Sequence, residues 1–360
     1  MKEPIATSRV KPRQWIRSWA ALLVLMIGFF HQETARALEP SEELLRLVPN
    51  DVGLCLVVQD LRDHLEAIAK SPFAKELSRS PVHVEVQGLL ERGGLCKCAD
   101  YFRSQLGSDW IHVRDDILGD AIVLAYWPKN DAHPEAELFL LRARDPKLLA
   151  QLVGRLNQSQ KECGRLRSIE PRNFEGTEYT ARIEKNGSNY CLVNGPWLAV
   201  SSDEATIQRI IKATASGHPA TPSLIMEQLR RLGVAKSLAT LWINPRAFEG
   251  EISQKAAKAH GEERAFRTAV AAIWKALEGA AISLTIKKDE AALQLSCLLS
   301  PDRLPLEARK LLVEGNQPSE LWQRFPERAF LTIAGRFTPA KWHEFLESFL
   351  LKRGATNSPA

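Results

Sequence analysis

The sequence predicts an α+β fold built from two tandem strand–helix–hairpin–helix copies, with mostly antiparallel sheets and helices on one face. Three observations predict it. Residues 119–141, GDAIVLAYWPKNDAHPEAELFLL, and residues 279–299, GAAISLTIKKDEAALQLSCLL, write nearly the same hairpin twice. Both alternate apolar and polar positions around a short polar turn, which is the pattern of a half-buried antiparallel pair. The joints around them also repeat, with Asp145-Pro146 after the first hairpin and Ser300-Pro301 after the second. The same unit therefore recurs with the same punctuation, as duplication expects. Generic hairpin chemistry is the competing reading.

The elements follow in order. Residues 54–58, LCLVV, read as a first strand, and Asp60 is placed to open the helix LRDHLEAIAKS, where Leu61, Leu65 and Ile68 recur at helical spacing. Residues 80–118 read as helices around a loop. In the hairpin, Ile122, Leu124 and Tyr126 alternate out and Leu138 and Leu140 alternate back. Asp suits an N-cap and Pro the first turn, so Asp145-Pro146 opens the helix KLLAQLVGRLNQ. A three-stranded meander comes next: EYTARIEK, NYCLV and PWLAVSS, turned at Asn186-Gly187 and Asn194-Gly195, a pairing that favours positive φ. Asp203 opens the helix EATIQRIIKA, and residues 216–222 read as a loop.

The second copy restarts with the strand SLATLW and Asn244-Pro245, followed by one long helix to Leu277 and the second hairpin. The helical stretch LEARKLLVEG, the strand AFLTIAG and the amphipathic helix AKWHEFLESFLLK complete it. The expected division is a leader over residues 1–37, a first copy with its extra meander over 38–222, a shorter second copy over 223–353, and a disordered tail over 354–360.

The leader has a basic segment with Lys2, Arg9, Lys11, Arg13 and Arg17, an apolar run from Trp19 to Phe30, and the exit Ala35-Arg36-Ala37. That order is a secretory signal peptide. Its 12 apolar residues make a helix of about 18 Å, against a hydrocarbon core of about 30 Å. We expect cleavage after Ala37 and a periplasmic or secreted protein. The alternative is an inner-membrane anchor formed by residues 19–30, the one membrane association the sequence offers. Residues 1–37 hold six of the 48 Lys+Arg and two of the 43 Asp+Glu, so the rest carries 42 against 41 and its net charge is about +1. A nucleic-acid partner is not expected, because binders keep a basic surface in their folded part.

All six cysteines lie beyond the leader: Cys55, Cys96, Cys98, Cys163, Cys191 and Cys297. Export permits disulfides. Cys55 and Cys297 lie in apolar strands and read as buried free thiols. The pair in GGLCKCAD, Cys96 and Cys98, reads as a redox or soft-metal site, as a staple of one of them to Cys163 or Cys191, or as two free thiols.

The opening VPNDVGLCLVVQDL, the hairpin LGDAIVLAYW with its return ELFLLRARDP, and NYCLVNGPWLAVSSDEATIQRII resemble a family of exported bacterial proteins defined as domain of unknown function 3352. The resemblance covers most of residues 44–350. It implies the fold and export and brings no catalytic residues with it.

No catalytic, metal or cofactor residues are assigned from the sequence, and no cofactor is expected. His343 and Glu347 share a helix face one turn apart, the nearest approach to a metal pair, but a polar face on an amphipathic helix is ordinary. Asp115-Asp116 and Asp203-Glu204 stand at element starts, where capping is the expected role. Trp127, Trp197 and Trp342 read as core or as ligand platforms. The expected function is an exported, non-catalytic binding or envelope-structural protein whose partner is an unknown protein or envelope component. The alternative is a secreted or periplasmic hydrolase with a scattered acidic and histidine site in a cleft between the two copies.

Overall fold

The computed structural model describes residues 39–72, 112–129, 134–185, 187–215, 223–287 and 290–306, with Arg309. The expected leader, Cys96, Cys98, the loop at 216–222, the strand AFLTIAG, Trp342, His343 and Glu347 lie outside the described residues. Among those described, no helix is long and apolar enough to cross a membrane.

The chain enters through α1 (Pro40–Leu45), β1 (Leu54–Gln59) and α2 (Leu61–Lys70). A single π-helical turn (Val113–Ile117) precedes β2 (Ala121–Trp127) and β3 (Ala136–Arg142). After α3 (Pro146–Glu162) come β4 (Leu166–Phe174), β5 (Thr177–Glu184), β6 (Gly187–Asn194) and β7 (Trp197–Ser201), then α4 (Glu204–Ala215) and α5 (Leu224–Arg231). The remainder is β8 (Ala239–Ile243), α6 (Pro245–Lys258), α7 (Gly261–Ala276), β9 (Leu277–Lys287) and β10 (Glu290–Leu299).

The caps expected at Asp145, Asp203 and Asn244 form, whereas Asp60, expected to open α2, holds φ +48 and makes no such bond. Asp145 Oδ1 accepts from the backbone N–H of Lys147 at 2.8 Å and of Leu148 at 3.0 Å. Asp203 Oδ2 accepts from Thr206 N–H at 2.9 Å, and Asn244 Oδ1 from Arg246 N–H at 3.1 Å. Each binds a donor that the helix itself leaves unpaired. The long helix expected up to Leu277 is two helices. Ala259 and His260 are extended and Gly261 takes φ +57, so the helical ladder stops between α6 and α7. Three elements escaped the sequence reading: α1, β4, whose nine residues include Pro171, and the short helix α5. Ser300-Pro301 opens only a 3-10 turn, Pro301–Arg303.

The ten strands among the described residues join one antiparallel sheet in the order β10-β9-β8-β1-β2-β3-β7-β6-β5-β4. β1 and β8 pair directly, with Leu56 opposite Leu241 and Cys55 opposite Trp242. The junction between the two expected copies is thus hydrogen-bonded sheet.

Helices cover both faces, which corrects the one-face expectation. On one face Cys55, Val57, Val123, Trp127, Leu138, Leu140 and Trp242 pack with α1, α4 and α5 through Leu44, Ile207, Ile210 and Met226. On the other, Val58, Ile122, Leu141 and Ile286 pack with α2 and α3 through Leu61, Leu65 and Leu149. The reason is visible in β1. LCLVV is a continuous apolar run, and a strand buried on both faces needs no alternation.

In α3, Gly154 is helical and a Cβ there meets nothing within 4 Å. Gly154→Ala is therefore expected to stabilise the protein by about 1 kcal/mol, the propensity difference in a helix interior. Urea unfolding reads this as a higher midpoint at unchanged slope, and a lower midpoint would refute it.

The cysteine expectations divide. Cys55 is a buried free thiol whose pKa burial pushes up to about 12. Cys163 and Cys191 are also free, which overturns their stapling to Cys96 or Cys98. Cys191 is buried on β6, and the Cys163 thiol donates to Gln160 O at 3.5 Å. Cys297 is free but exposed, and its strand neighbours Leu293 and Leu295 are 77% and 70% exposed. The apolar face expected to be buried on β10 is open among the described residues.

Candidate functional site

Charge concentrates where β1 ends, β2 begins and β3 ends. Asp60 follows β1, and its N–H donates to Asp120 O at 2.9 Å, just before β2. Arg142, the last residue of β3, donates from Nε to Glu43 on α1 at 2.8 Å and from Nη1 to Asp120 at 2.9 Å. Arg144 adds a longer contact to Asp120 at 3.5 Å. Glu42, also on α1, accepts from Arg46 at 3.2 Å and from Arg230 on α5 at 3.0 Å. The sheet brings these groups together, because Ala121 sits opposite both Gln59 and Arg142 in register.

Asp60 holds φ +48, a left-handed conformation that Asp tolerates at some cost. Desolvation, with like charge from Asp63, Glu39 and Asp120, pushes its carboxyl above the usual range, against a lowering pull from His64. A raised folded-state pKa means this group supports folding when protonated. That support is lost as pH rises through its folded value. Asp60→Asn is therefore expected to raise stability at pH 7, with the gain vanishing below about pH 4, where Asp is protonated in both states. Urea midpoints at the two pH values test it, and a gain that persists in acid would implicate the backbone instead.

The π-helical turn packs beside this end. Arg114 is fully buried and grips Asp115 with two parallel hydrogen bonds of 2.6 Å, Nε to Oδ1 and Nη2 to Oδ2. The Asp116 carbonyl accepts from the N–H groups of Arg144 at 2.8 Å and Asp145 at 3.3 Å, tying the turn to the start of α3. Gly119 is required here, since a Cβ would stand 2.4 Å from the Asp115 carbonyl oxygen. Asp115-Asp116 thus serves a buried pair and a joint, where the sequence suggested capping. Asp203 caps as expected, while Glu204 accepts from the Tyr179 hydroxyl at 2.6 Å.

At the opposite end of the hairpin, Tyr126 donates to Glu135 at 3.0 Å, and burial with the Glu135 charge raises the Glu137 carboxyl. Trp127 is buried, and its Nε1 donates to Asp51 at 2.8 Å, while Trp197 is half-buried. A hollow of about 10 Å³ lies among Leu44, Leu140, Leu192, Trp197 and Ile210, room for about one water. No group of three His, Cys, Asp or Glu among the described residues could hold a metal ion. The charged cluster escaped the sequence reading because Glu43, Asp120 and Arg142 lie far apart in the chain. Only the repeated strand ends could have hinted that they meet.

No family model, curated protein or solved structure matches the chain.

Proposed function

We propose that this is an exported, non-catalytic binding or envelope-structural protein, a duplicated α+β chain similar to domain of unknown function 3352, serving a protein or envelope component. The observation that carries the reading is the charged cluster. Arg142 bridges Glu43 and Asp120, and Arg230 reaches Glu42, so these charges tie α1, β3 and α5 to the strand ends. Charges arranged this way clamp an architecture.

Duplication is supported by the mirrored run β3-β2-β1-β8-β9-β10, which ends at the β10 edge of the sheet. Laying AIVLAY of β2 on AISLTI of β9 carries partners onto partners. Ile122 faces Leu141 as Ile282 faces Leu295, and Leu124 faces Phe139 as Leu284 faces Leu293.

The test compares native and denaturing intact mass of protein recovered from its own export route, with envelope fractionation alongside. The expected result is a chain beginning at Leu38 that co-fractionates with a protein or envelope component. A retained small molecule that disappears in Asp60→Asn and Asp120→Asn, with the fold intact, would overturn the non-catalytic reading in favour of a site at the cluster.

A further inference from the structure

Two polar atoms meet in the core between α5 and the sheet. Trp242 of β8 is 2% exposed, and its indole Nε1 has no hydrogen-bond partner among the described residues. Neither has Oε1 of Gln228 on α5, which is equally shut off from solvent. A buried donor or acceptor left unpaired costs free energy, so native structures satisfy nearly all of them. Gly279, buried on β9, lies between the two. A Cβ built there would stand 3.4 Å from Trp242 Nε1 and 3.5 Å from Gln228 Oε1, and apart from the neighbours of Gly279 in the chain nothing else comes within 4 Å. Arg231 of α5 reaches Glu278 at 3.4 Å and holds the helix over this point.

We propose that the space beside Gly279 is the site of one buried water, which accepts from Trp242 Nε1 and donates to Gln228 Oε1. The two groups are complementary to such a molecule. An indole nitrogen only donates and a carboxamide oxygen only accepts, so neither need can be met by a second group of its own kind. One water meets both, and a buried water asks for two to four polar partners. The separations of 3.4 and 3.5 Å are a few tenths of an ångström beyond hydrogen-bond length. A small shift of the water and a turn of the flexible Gln228 carboxamide close that gap. The site also gives Gly279 a role, because a glycine inside a strand weakens it and marks a place where something else approaches closely. The chain already seats an oxygen beside the matching glycine. When AIVLAY is laid on AISLTI, Gly119 falls on Gly279, and the Asp115 carbonyl oxygen stands 2.4 Å from where a Gly119 Cβ would be. The water joins α5 to β8 and β9, so it fastens a helix to the second half of the sheet.

The inference is independent of the charged cluster and of any reaction. Nuclear magnetic resonance and urea unfolding of the full chain test it together. With isotope-labelled tryptophan, the Trp242 indole N–H is assigned by its disappearance in Trp242→Phe. It is expected to show cross-relaxation to a water that stays bound for longer than the protein takes to tumble. Gly279→Ala puts a methyl group where the water sits. It is expected to abolish that signal and to lower the urea midpoint, because donor and acceptor are then left unpaired. In the background Trp242→Phe/Gln228→Leu neither group needs a partner, and the same Gly279→Ala is expected to raise the midpoint, since alanine loses less freedom on folding than glycine. A parent chain without the water signal overturns the proposal, in favour of a dry gap or a direct indole–carboxamide bond. A higher midpoint for Gly279→Ala in the parent chain also overturns it. A lowering that persists in the background overturns it in favour of a steric cause. Should a variant fail to fold, the water signal in the parent chain decides alone. None of these outcomes bears on whether the charged cluster is structural, which the intact-mass experiment decides.

Discussion

Arg114→Ala is expected to lower the unfolding free energy by about 3–5 kcal/mol, the cost of stranding a buried charge. Arg114 is fully buried and Asp115 is 8% exposed. Their paired bonds of 2.6 Å are the strong, parallel geometry of a guanidinium and a carboxylate. Removing the cation leaves Asp115 desolvated and uncompensated. The pair itself need not be net stabilising, since desolvating two charges offsets most of their attraction. Arg114→Met with Asp115→Leu should therefore recover most of what Arg114→Ala loses. Urea unfolding followed by far-UV circular dichroism measures both. Equal losses in the single and double variants would mean that packing, and not the charge, sets the effect.

Much of the fold was legible in local chemistry. Asp145-Pro146, Asp203 and Asn244-Pro245 each announce a helix start, and each side chain accepts the expected backbone N–H. Both hairpins are where alternation puts them. What failed is what local pattern does not encode. The break between α6 and α7 falls at Ala259–Gly261, in a stretch otherwise rich in helix formers. β4 hides because LRSIEPRNF alternates poorly, as an exposed edge strand can. The two-sided core was written in the unbroken apolar run of β1, which a hairpin-based reading treats as one more half-buried strand.

The site was less legible, for a physical reason. Arg142 gains its meaning from Glu43 and Asp120, 99 and 22 residues away. Charge pairs across strand ends leave no spacing rule in the sequence. The same holds for Arg114, whose burial depends on a π-helical turn between α2 and α3. The pattern on β10 misled in the other direction. Leu293, Leu295 and Cys297 read as core because they share a face, yet a shared face becomes core only when something covers it.

Trp127→Ala is expected to cost about 3–5 kcal/mol, the range for deleting a large buried aromatic. Trp127 is 2% exposed on β2 within the core beneath α1 and α4. Its Nε1 donates to Asp51 at 2.8 Å, and Arg209 of α4 stands 6.0 Å from the ring centroid. One side chain thus holds the sheet, the turn before β1 and a helix. Trp127→Phe separates the contributions. It keeps most of the buried ring and drops only the hydrogen bond, whose partner Asp51 is half-exposed and can turn to water, so a loss of about 1 kcal/mol is expected. A ligand platform would behave otherwise, since an exposed aromatic can be truncated with little change in stability. Losses below about 1 kcal/mol for Trp127→Ala in urea unfolding would therefore return Trp127 to the platform reading, whereas a large loss shared by both halves of the sheet would show that β1–β8 pairing makes them one cooperative unit.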